Sequence, residues 1–584
     1  MSAAAQVPVS TNRAWLRALE MTAGIDSAPH RTLPAAVEEW MARGEAPALL
    51  SDGASLDYRQ LGESANRHAR WALAQGIAKG DVVCLMLGNC PDYAAIWLGI
   101  TRIGGVVALI NTNLSGPSLA HCIAVAAPRL VIADASHATA IAEAGIAAEL
   151  IRIHGAALAP YARLDADAFS SEALQAGEQR MVTLKDPALL IYTSGTTGLP
   201  KAAHVSHHRV MMWSHWFAGL TGAGPSDRLY NCLPMYHSVG GVVAVGAMLA
   251  AGGSVVLREK FSATAFWDDI ARWDCTIFQY IGELCRYLLK APGPTRPHSL
   301  RLAVGNGMNG DVWRAFQERF AIPHILEFYA ATEGNFSLYN VEGKPGSIGR
   351  IPPFLAHRFA AALVQYDEAA GAPRRGADGL CIACARGETG EAIGKIAAAS
   401  RFEGYTDKNE TERKILRNVF AAGDAWVRTG DLMRQDEKGF FYFVDRIGDT
   451  FRWKGENVAT SEVAAAILDC PGVEAATVYG VSVPGAEGRA GMAAIVTKAG
   501  FDPAALHAHL KTRLPNYARP VFLRIVESLA MTETFKQKKQ ELARQGVDPG
   551  AIADPLTWLN PATGAYEVLD GAAYSLITSG KTRI

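Results

Sequence analysis

From residue 81 onward, short apolar runs alternate with helical patterns. Val82 to Leu87, Val106 to Ile110 and Leu130 to Ala133 are continuously apolar, and the stretches between them, Asp92 to Ile103 and about Ser118 to Ala126, carry helical spacing. Strands covered on both faces need unbroken apolar runs, so this text predicts βαβαβ and a mostly parallel sheet. A second series follows, with strands expected at Ala188 to Tyr192, Thr276 to Ile281, Leu300 to Val304 and Ile325 to Tyr329. Helices are expected over Phe266 to Trp273, Leu284 to Leu289 and Val312 to Phe320. The run from Leu229 to Leu257 has no Asp, Glu, Lys or Arg, but Pro234, His237, Gly240, Gly241, Gly252, Gly253 and Ser254 punctuate it. It predicts a helix over about 241–251, a turn and the strand Ser254 to Leu257 rather than a membrane span.

Near Pro345 to Gly349 the text becomes rich in Gly and Pro and then carries strand signals up to Asp445, including Gly439 to Val444. Beyond Asp445-Arg446 a polar stretch precedes a helix (Ser461 to Leu468), strands (Ala475 to Gly480, Ala490 to Val496), a helix (Pro503 to Leu514) and a strand (Val521 to Val526). The expected fold class is α/β. A large N-terminal part over 1–447 would comprise parallel-sheet subdomains at about 45–340 and a β-rich subdomain at about 341–447. A small, mobile α+β domain would occupy 448–584, with the linker near 447–449.

A chain of 584 residues, 49% hydrophobic and 19% charged, is a large globular protein rather than a disordered or fibrous one. Lys and Arg number 56 against 57 Asp and Glu, so no global field draws in nucleic acid, and any phosphate must be held locally. The nine cysteines are scattered singly through apolar stretches, the pattern of free thiols in a reducing, cytoplasmic compartment. Arg13, Arg17 and Glu20 interrupt the apolar core a signal peptide would need. Cys381-Ile382-Ala383-Cys384 has no second pair and lies in a strand-like run, so two buried thiols are expected rather than a zinc or redox site. Asn409-Glu410-Thr411 is set aside as a glycosylation site, which belongs to a secretory context.

The chemistry starts at Tyr192-Thr193-Ser194-Gly195-Thr196-Thr197-Gly198-Leu199-Pro200-Lys201, directly after a strand. Glycines turn amides toward an anion, and hydroxyls and a lysine add donors for phosphate oxygens. Pro200 and Ala202 stand where a Walker loop needs Gly and Ser/Thr, which excludes that type. The loop resembles the nucleotide signature of the adenylate-forming superfamily, which includes acyl-CoA synthetases, luciferases and peptide-synthetase adenylation domains. Tyr329-Ala330-Ala331-Thr332-Glu333-Gly334 is similar to a second family motif, with Ala330 in place of the usual glycine, and Thr429-Gly430-Asp431 and Arg446 are similar to two more. Three longer strings resemble the branch of very-long-chain acyl-CoA synthetases also called fatty acid transport proteins. They are Leu233-Pro234-Met235-Tyr236-His237-Ser238, Gln279 to Leu289, and Asp445 to Asn457, which reads DRIGDTFRWKGEN.

The resemblance implies ATP, Mg²⁺ and coenzyme A as cofactors and a fatty acid as substrate. It places Thr193, Ser194, Gly195, Thr196, Thr197, Gly198 and Lys201 around the phosphates, and Glu333 on the metal with Thr332 beside it. Tyr329 and Gly305-Asn306-Gly307 would meet the adenine, and Asp431 and Arg446 the ribose. His237 would stand near the carboxylate, with Tyr236, Gly240, Gly241 and Tyr280 as guesses for the acyl lining. Lys536, with Phe535 before it where the family usually has glycine, would bridge the acid and the α-phosphate, although Lys538 and Lys539 compete for that role. Rotation about Gly448 or Asp449 would bring Lys454, Gly455 and Glu456 into the second half-reaction. Two rivals stay open: a ligase for a carnitine-like, bile-acid-like or aryl acid, and a lipid-uptake protein with secondary ligase activity. Peripheral contact with the cytoplasmic membrane face suits a lipid substrate, and oligomeric state is not legible.

Overall fold

The continuous apolar runs become the inner strands of two parallel sheets. The computed structural model describes residues 11–193, 199–291, 296–368, 370–397, 400–454, 456–484, 488–530, 539–582 and 584. By internal contacts the chain divides into two compact units, Met1–Ala360 with Lys395–Leu416, and Ala361–Gly394 with Arg417–Ile584. The β-rich stretch thus falls mainly with the C-terminal elements, because its strands pair with one another across 361–446.

The first unit holds an eight-stranded and a seven-stranded sheet. In the larger, the order is Ser337–Asn340, His324–Ala330, Leu302–Asn306, Ile277–Ile281, Arg228–Asn231, Ser254–Leu257, Pro47–Leu50 and Ser55–Asp57, parallel except at its two edges. The smaller runs from Ala162–Arg163 through Ile151–His154, Leu130–Asp134, Val82–Met86, Val106–Leu109 and Pro187–Thr193 to Lys201–Ser206, with only the last pair antiparallel. Strands such as Val106–Leu109 and Ser254–Leu257 are buried at every position, as two-sided cover demands. In parallel sheets of this kind the loops at the carboxyl ends of the strands form the binding surface.

The Leu229 to Leu257 run folds as predicted except at its first helical turn. Ser238–Val243 is a wide π turn, and the α-helix proper is Ala244–Ala251. A Cβ on Gly240 would lie 2.6 Å from the Pro234 carbonyl oxygen, and one on Gly241 would lie 1.7 Å from that of Met235. Both glycines permit the close passage of the 233–235 backbone. Among the described residues no helix is long and apolar enough to cross a membrane.

In the second unit, Ala361–Val364, Thr389–Lys395, Ala425–Gln435 and Phe441–Arg446 form an antiparallel sheet. The five-stranded sheet Val473–Val481, Ala490–Thr497, Phe522–Ile525, Leu556–Asn560 and Ala565–Val568 packs with the helices Thr460–Leu468 and Pro503–Arg513 around a separate core that includes Val463, Ile467, Leu506 and Leu510. All nine cysteines are free thiols. Cys381 is buried as expected, whereas Cys384 is only half-buried, because this segment makes isolated bridges rather than a full strand.

Candidate active site

Thr193 closes one strand of the seven-stranded sheet and pairs across the hairpin with Lys201. The two ends of the predicted phosphate loop are therefore held together by a rigid ladder. Ser194, Gly195, Thr196, Thr197 and Gly198 between them lie outside the described residues. Lys201 is half-buried and paired with Glu410 of the short helix Lys408–Arg413, whose other carboxylate oxygen accepts from Arg413 at 2.6 Å. A phosphate arriving at Lys201 competes with that carboxylate for the ammonium.

Tyr329 and Ala330 end the strand His324–Ala330, and Thr332 and Glu333 follow in the turn beyond it. The Tyr405 hydroxyl donates to Glu333 Oε1 at 2.7 Å, and Lys414 Nζ lies 3.6 Å from the same oxygen. Tyr405 also bridges Ala203, in the strand that begins at Lys201, so it ties the edge strand beside the predicted phosphate loop to the expected metal ligand. Burial first, and the Glu333 charge second, hold the Tyr405 phenol far above its ordinary range, so it acts here as a donor. Thr332 Oγ1 stands 3.1 Å from Ser238 Oγ, next to His237, whose ring centroid is 4.6 Å from that of Tyr236. Arg209, buried and stacked over Trp213, donates to the Thr332 carbonyl at 2.7 Å and reaches Glu403 at 3.7 Å. The strand ends flanking the predicted phosphate loop, the Thr332-Glu333 turn and the His237 turn are thus joined in one unit.

Mg²⁺ takes one or two carboxylates and completes its octahedron from waters and phosphate oxygens. A single half-buried carboxylate at Glu333 fits that habit, and among the described residues no group of three or more His, Cys, Asp or Glu forms an all-protein cage. Tyr329 is half-buried with its ring 5.8 Å from that of Phe336. Gly305 is buried, Asn306 half-buried, and Gly307, at φ +81°, exposed. At Gly305 the Tyr280 ring lies 2.6 Å from the position a Cβ would take. Tyr280 is itself fully buried with its hydroxyl engaged by Glu327, so it supports the site from below.

The remaining expected groups lie in the second unit. Asp431 and Arg446 are register partners across a hairpin, with Arg446 Nε 3.6 Å from Asp431 Oδ1. Thr429 braces that turn by donating to the Ala392 carbonyl at 2.7 Å and accepting from the Asp431 amide at 3.0 Å. Asp445, 3% exposed, accepts from the Thr460 amide and hydroxyl at 2.6 and 2.9 Å. Lys454 is exposed at the turn of the hairpin formed by Phe451–Trp453 and Glu456–Val458, with φ +51°. Gly455 and Lys536 lie outside the described residues, as do Lys538 and the Glu456 side chain. Lys539 donates to Thr460 Oγ1 at 2.6 Å and stands 3.6 Å from Asp449. That engagement gives Lys539 a structural task.

Sequence reading missed Tyr405, Lys414, Arg209 and Glu403. Glu410 was met only as the middle of an Asn-x-Thr triplet. None of these stands beside a motif; Tyr405, Lys414, Glu403 and Glu410 join the site through the return of 395–416 to the first unit, and Arg209 from the helix His207–Thr221.

The AMP-binding enzyme family matches residues 37–369, and the AMP-binding enzyme C-terminal domain matches residues 462–536. The chain belongs to the AMP-binding enzymes. It is 41% identical over 550 residues to long-chain fatty acid transport protein 1 of Mus musculus, covering 91% of this chain and 84% of the relative. It is 39% identical to long-chain fatty acid transport protein 6 of the same species, covering 92% and 88%. Among solved structures, ATP-bound MatB from Rhodopseudomonas palustris aligns with TM-score 0.74 at 26% identity, covering 88% of this chain and 98% of that one. The anthranilate CoA ligase AuaEII, in complex with anthranoyl-AMP, shares the fold at TM-score 0.75 and 20% identity, with 88% and 96% covered.

Proposed function

We propose that this AMP-binding enzyme is an ATP- and Mg²⁺-dependent ligase that joins long or very long chain fatty acids to coenzyme A. The observation that carries the reading is the cluster beside the carboxyl ends of the strands Pro187–Thr193 and His324–Ala330, in which Lys201 pairs with Glu410, Glu333 meets Tyr405 and Lys414, and Thr332 meets Arg209 and Ser238. The acid class rests on likeness to the long-chain fatty acid transport proteins over nine-tenths of the chain.

In the first half-reaction a carboxylate oxygen forms a bond to the α-phosphorus of ATP as the bond to the β-phosphate bridging oxygen breaks, and pyrophosphate leaves. A carboxylate is a weak nucleophile approaching a polyanion, so donors must be fixed in place beforehand. Lys201 and the hydroxyls of Thr193 and Thr332 supply them. Glu333 holds the metal, which when bound neutralises phosphate charge, and Tyr405 fixes the carboxylate's orientation. Asp431 accepts from the ribose hydroxyls, with Arg446 alongside. Lys536 bridges the acid and the α-phosphate. In the second half-reaction the CoA thiolate attacks the acyl carbon, AMP leaves with the bonding pair, and the thiol proton passes to solvent. Between the two, the C-terminal residues turn about 448–449, presenting Lys454, Gly455 and Glu456. Gly448 stands at φ +94° with open space around the position of a Cβ, a conformation that glycine adopts without strain.

The test is ATP–pyrophosphate exchange across a chain-length series, followed by thioester detection with CoA. Exchange that rises with chain length is expected. Absence of exchange with every fatty acid, alongside exchange with an aryl or carnitine-like acid, would reassign the substrate. A second reading is suggested by the relatives' names: ligation at the cytoplasmic membrane face traps incoming fatty acid and so drives uptake. Lys536→Ala is expected to abolish exchange and uptake together, and uptake that survives the change separates the two activities.

A further inference from the structure

One buried carboxyl plays no part in the proposed chemistry. Glu327, 1% exposed, lies two strands from Tyr280, with Gly305 between them in the same cross-strand row. Neighbouring strands are about 4.8 Å apart, so a tyrosine reaches a glutamate two strands away only if the residue between them has no side chain. Gly305 meets that condition, and its missing Cβ would stand 2.1 Å from the Tyr280 carbonyl oxygen and 2.6 Å from its ring. The Tyr280 hydroxyl donates to Glu327 Oε2, and the Met308 amide donates to Oε1 at 3.0 Å. One side chain therefore holds the turn that leaves the strand Leu302–Asn306. Gly282 closes the turn from the other side, where a Cβ would lie 1.9 Å from the Gly307 carbonyl oxygen.

A buried carboxyl is costly unless its oxygens are satisfied, and an apolar residue of similar size would cost less. Its retention under this turn calls for a task. We propose that Glu327 is a positioning residue for nucleobase recognition, fixing the Asn306-Gly307-Met308 backbone so that the site accepts adenine over guanine nucleotides. The inference rests on the assignment of 305–307 to the adenine side of the site. Burial also pushes the Glu327 carboxyl up to about 8. The titratable groups facing it, Tyr280 and Cys285, are held well above their ordinary values by burial and stay neutral there. Near that pH the carboxyl exchanges its proton for fuller acceptance from the Met308 amide and the Tyr280 hydroxyl.

The experiment is calorimetric titration of the full-length protein with Mg·ATP and Mg·GTP, alongside steady-state KM values for ATP, acid and CoA. Glu327→Leu is expected to weaken ATP binding by about tenfold and to narrow the ATP-to-GTP ratio, with the KM for CoA unmoved. Glu327→Gln, which still accepts from the turn, is expected to restore ATP affinity but to lose the inflection near pH 8. If Glu327→Leu does not fold, Tyr280→Phe removes one donor and is expected to weaken ATP relative to CoA in the same direction. Unaltered ATP affinity and selectivity in the folded variants would overturn the inference while leaving the ligase reading intact. Failure of the wild type to bind ATP or catalyse exchange would instead remove that reading.

Discussion

The two units present their functional groups in different ways. In the first, Thr193, Thr332 and Glu333 stand at or just past the carboxyl ends of strands, in turns over sheets whose inner strands are buried on both faces. In the second, a buried Asp431 and an exposed Arg446 face one another from within an antiparallel hairpin. A parallel sheet covered by helices has no free face, so its chemistry is confined to loops that a tertiary contact must then hold. An antiparallel hairpin displays a charged pair directly and positions it by register alone. On the proposed function, the first arrangement holds the groups assigned to the transition state and the second those assigned to the ribose.

Substitutions can break that division. Glu333→Gln is expected to lower kcat for pyrophosphate exchange by about 10²–10³-fold, the scale of losing one electrostatic participant, and Tyr405→Phe to follow it with a smaller loss of kcat. Asp431→Asn is expected to raise the KM for ATP about tenfold with kcat nearly unchanged, since it removes binding common to ground and transition states. If single-turnover measurements show Asp431→Asn acting on kcat and Glu333→Gln on KM, the division is wrong.

Stability sharpens the same contrast. Asp445→Ala leaves the Thr460 and Ser461 amides at the start of a helix without their acceptor, and is expected to cost about 1–3 kcal/mol in denaturant unfolding. Burial holds the Asp445 carboxyl above its ordinary value, so its contribution is greatest below the ordinary carboxylate range and falls as pH rises through the raised value. The smallest effect is expected at His154, whose ring nitrogens meet Asp134 and Asp92, each at 3.1 Å. Hydrogen bonds to Asp134 and then Asp92 raise the imidazole from 6.5 to about 9. Its stabilisation is therefore complete below pH 6.5 and lost as pH rises through 9. Asp92 is 46% exposed, so solvent screening reduces the effect to on the order of 1 kcal/mol. Melting of His154→Gln against wild type should differ most at pH 6 and least at pH 10.

Much of this architecture is legible in the linear text. The runs at Val82, Val106 and Leu130 announce buried parallel strands, and glycines and a proline correctly break the Leu229 to Leu257 stretch. Helix type is less legible, because the π turn at Ser238–Val243 follows from the packing of Gly240 and Gly241 on the 233–235 backbone. Motif residues are legible because their chemistry demands particular side chains in a particular order. Their supports are not, because Tyr405, Glu410, Lys414 and Arg209 are ordinary residue types without local pattern.

By itself, then, the order of residues determined which segments are strands, which loop is built for phosphate, and which family the chain resembles. Those properties depend on neighbours a few positions apart, and periodicity and composition record them. Only the tertiary structure decided that Tyr405 holds Glu333, that Lys201 faces Glu410, and that Tyr280 reaches Glu327 across Gly305. Those contacts span tens to hundreds of positions, and a side chain's partner at that range is set by how sheets are ordered and registered, which no local stretch of sequence encodes.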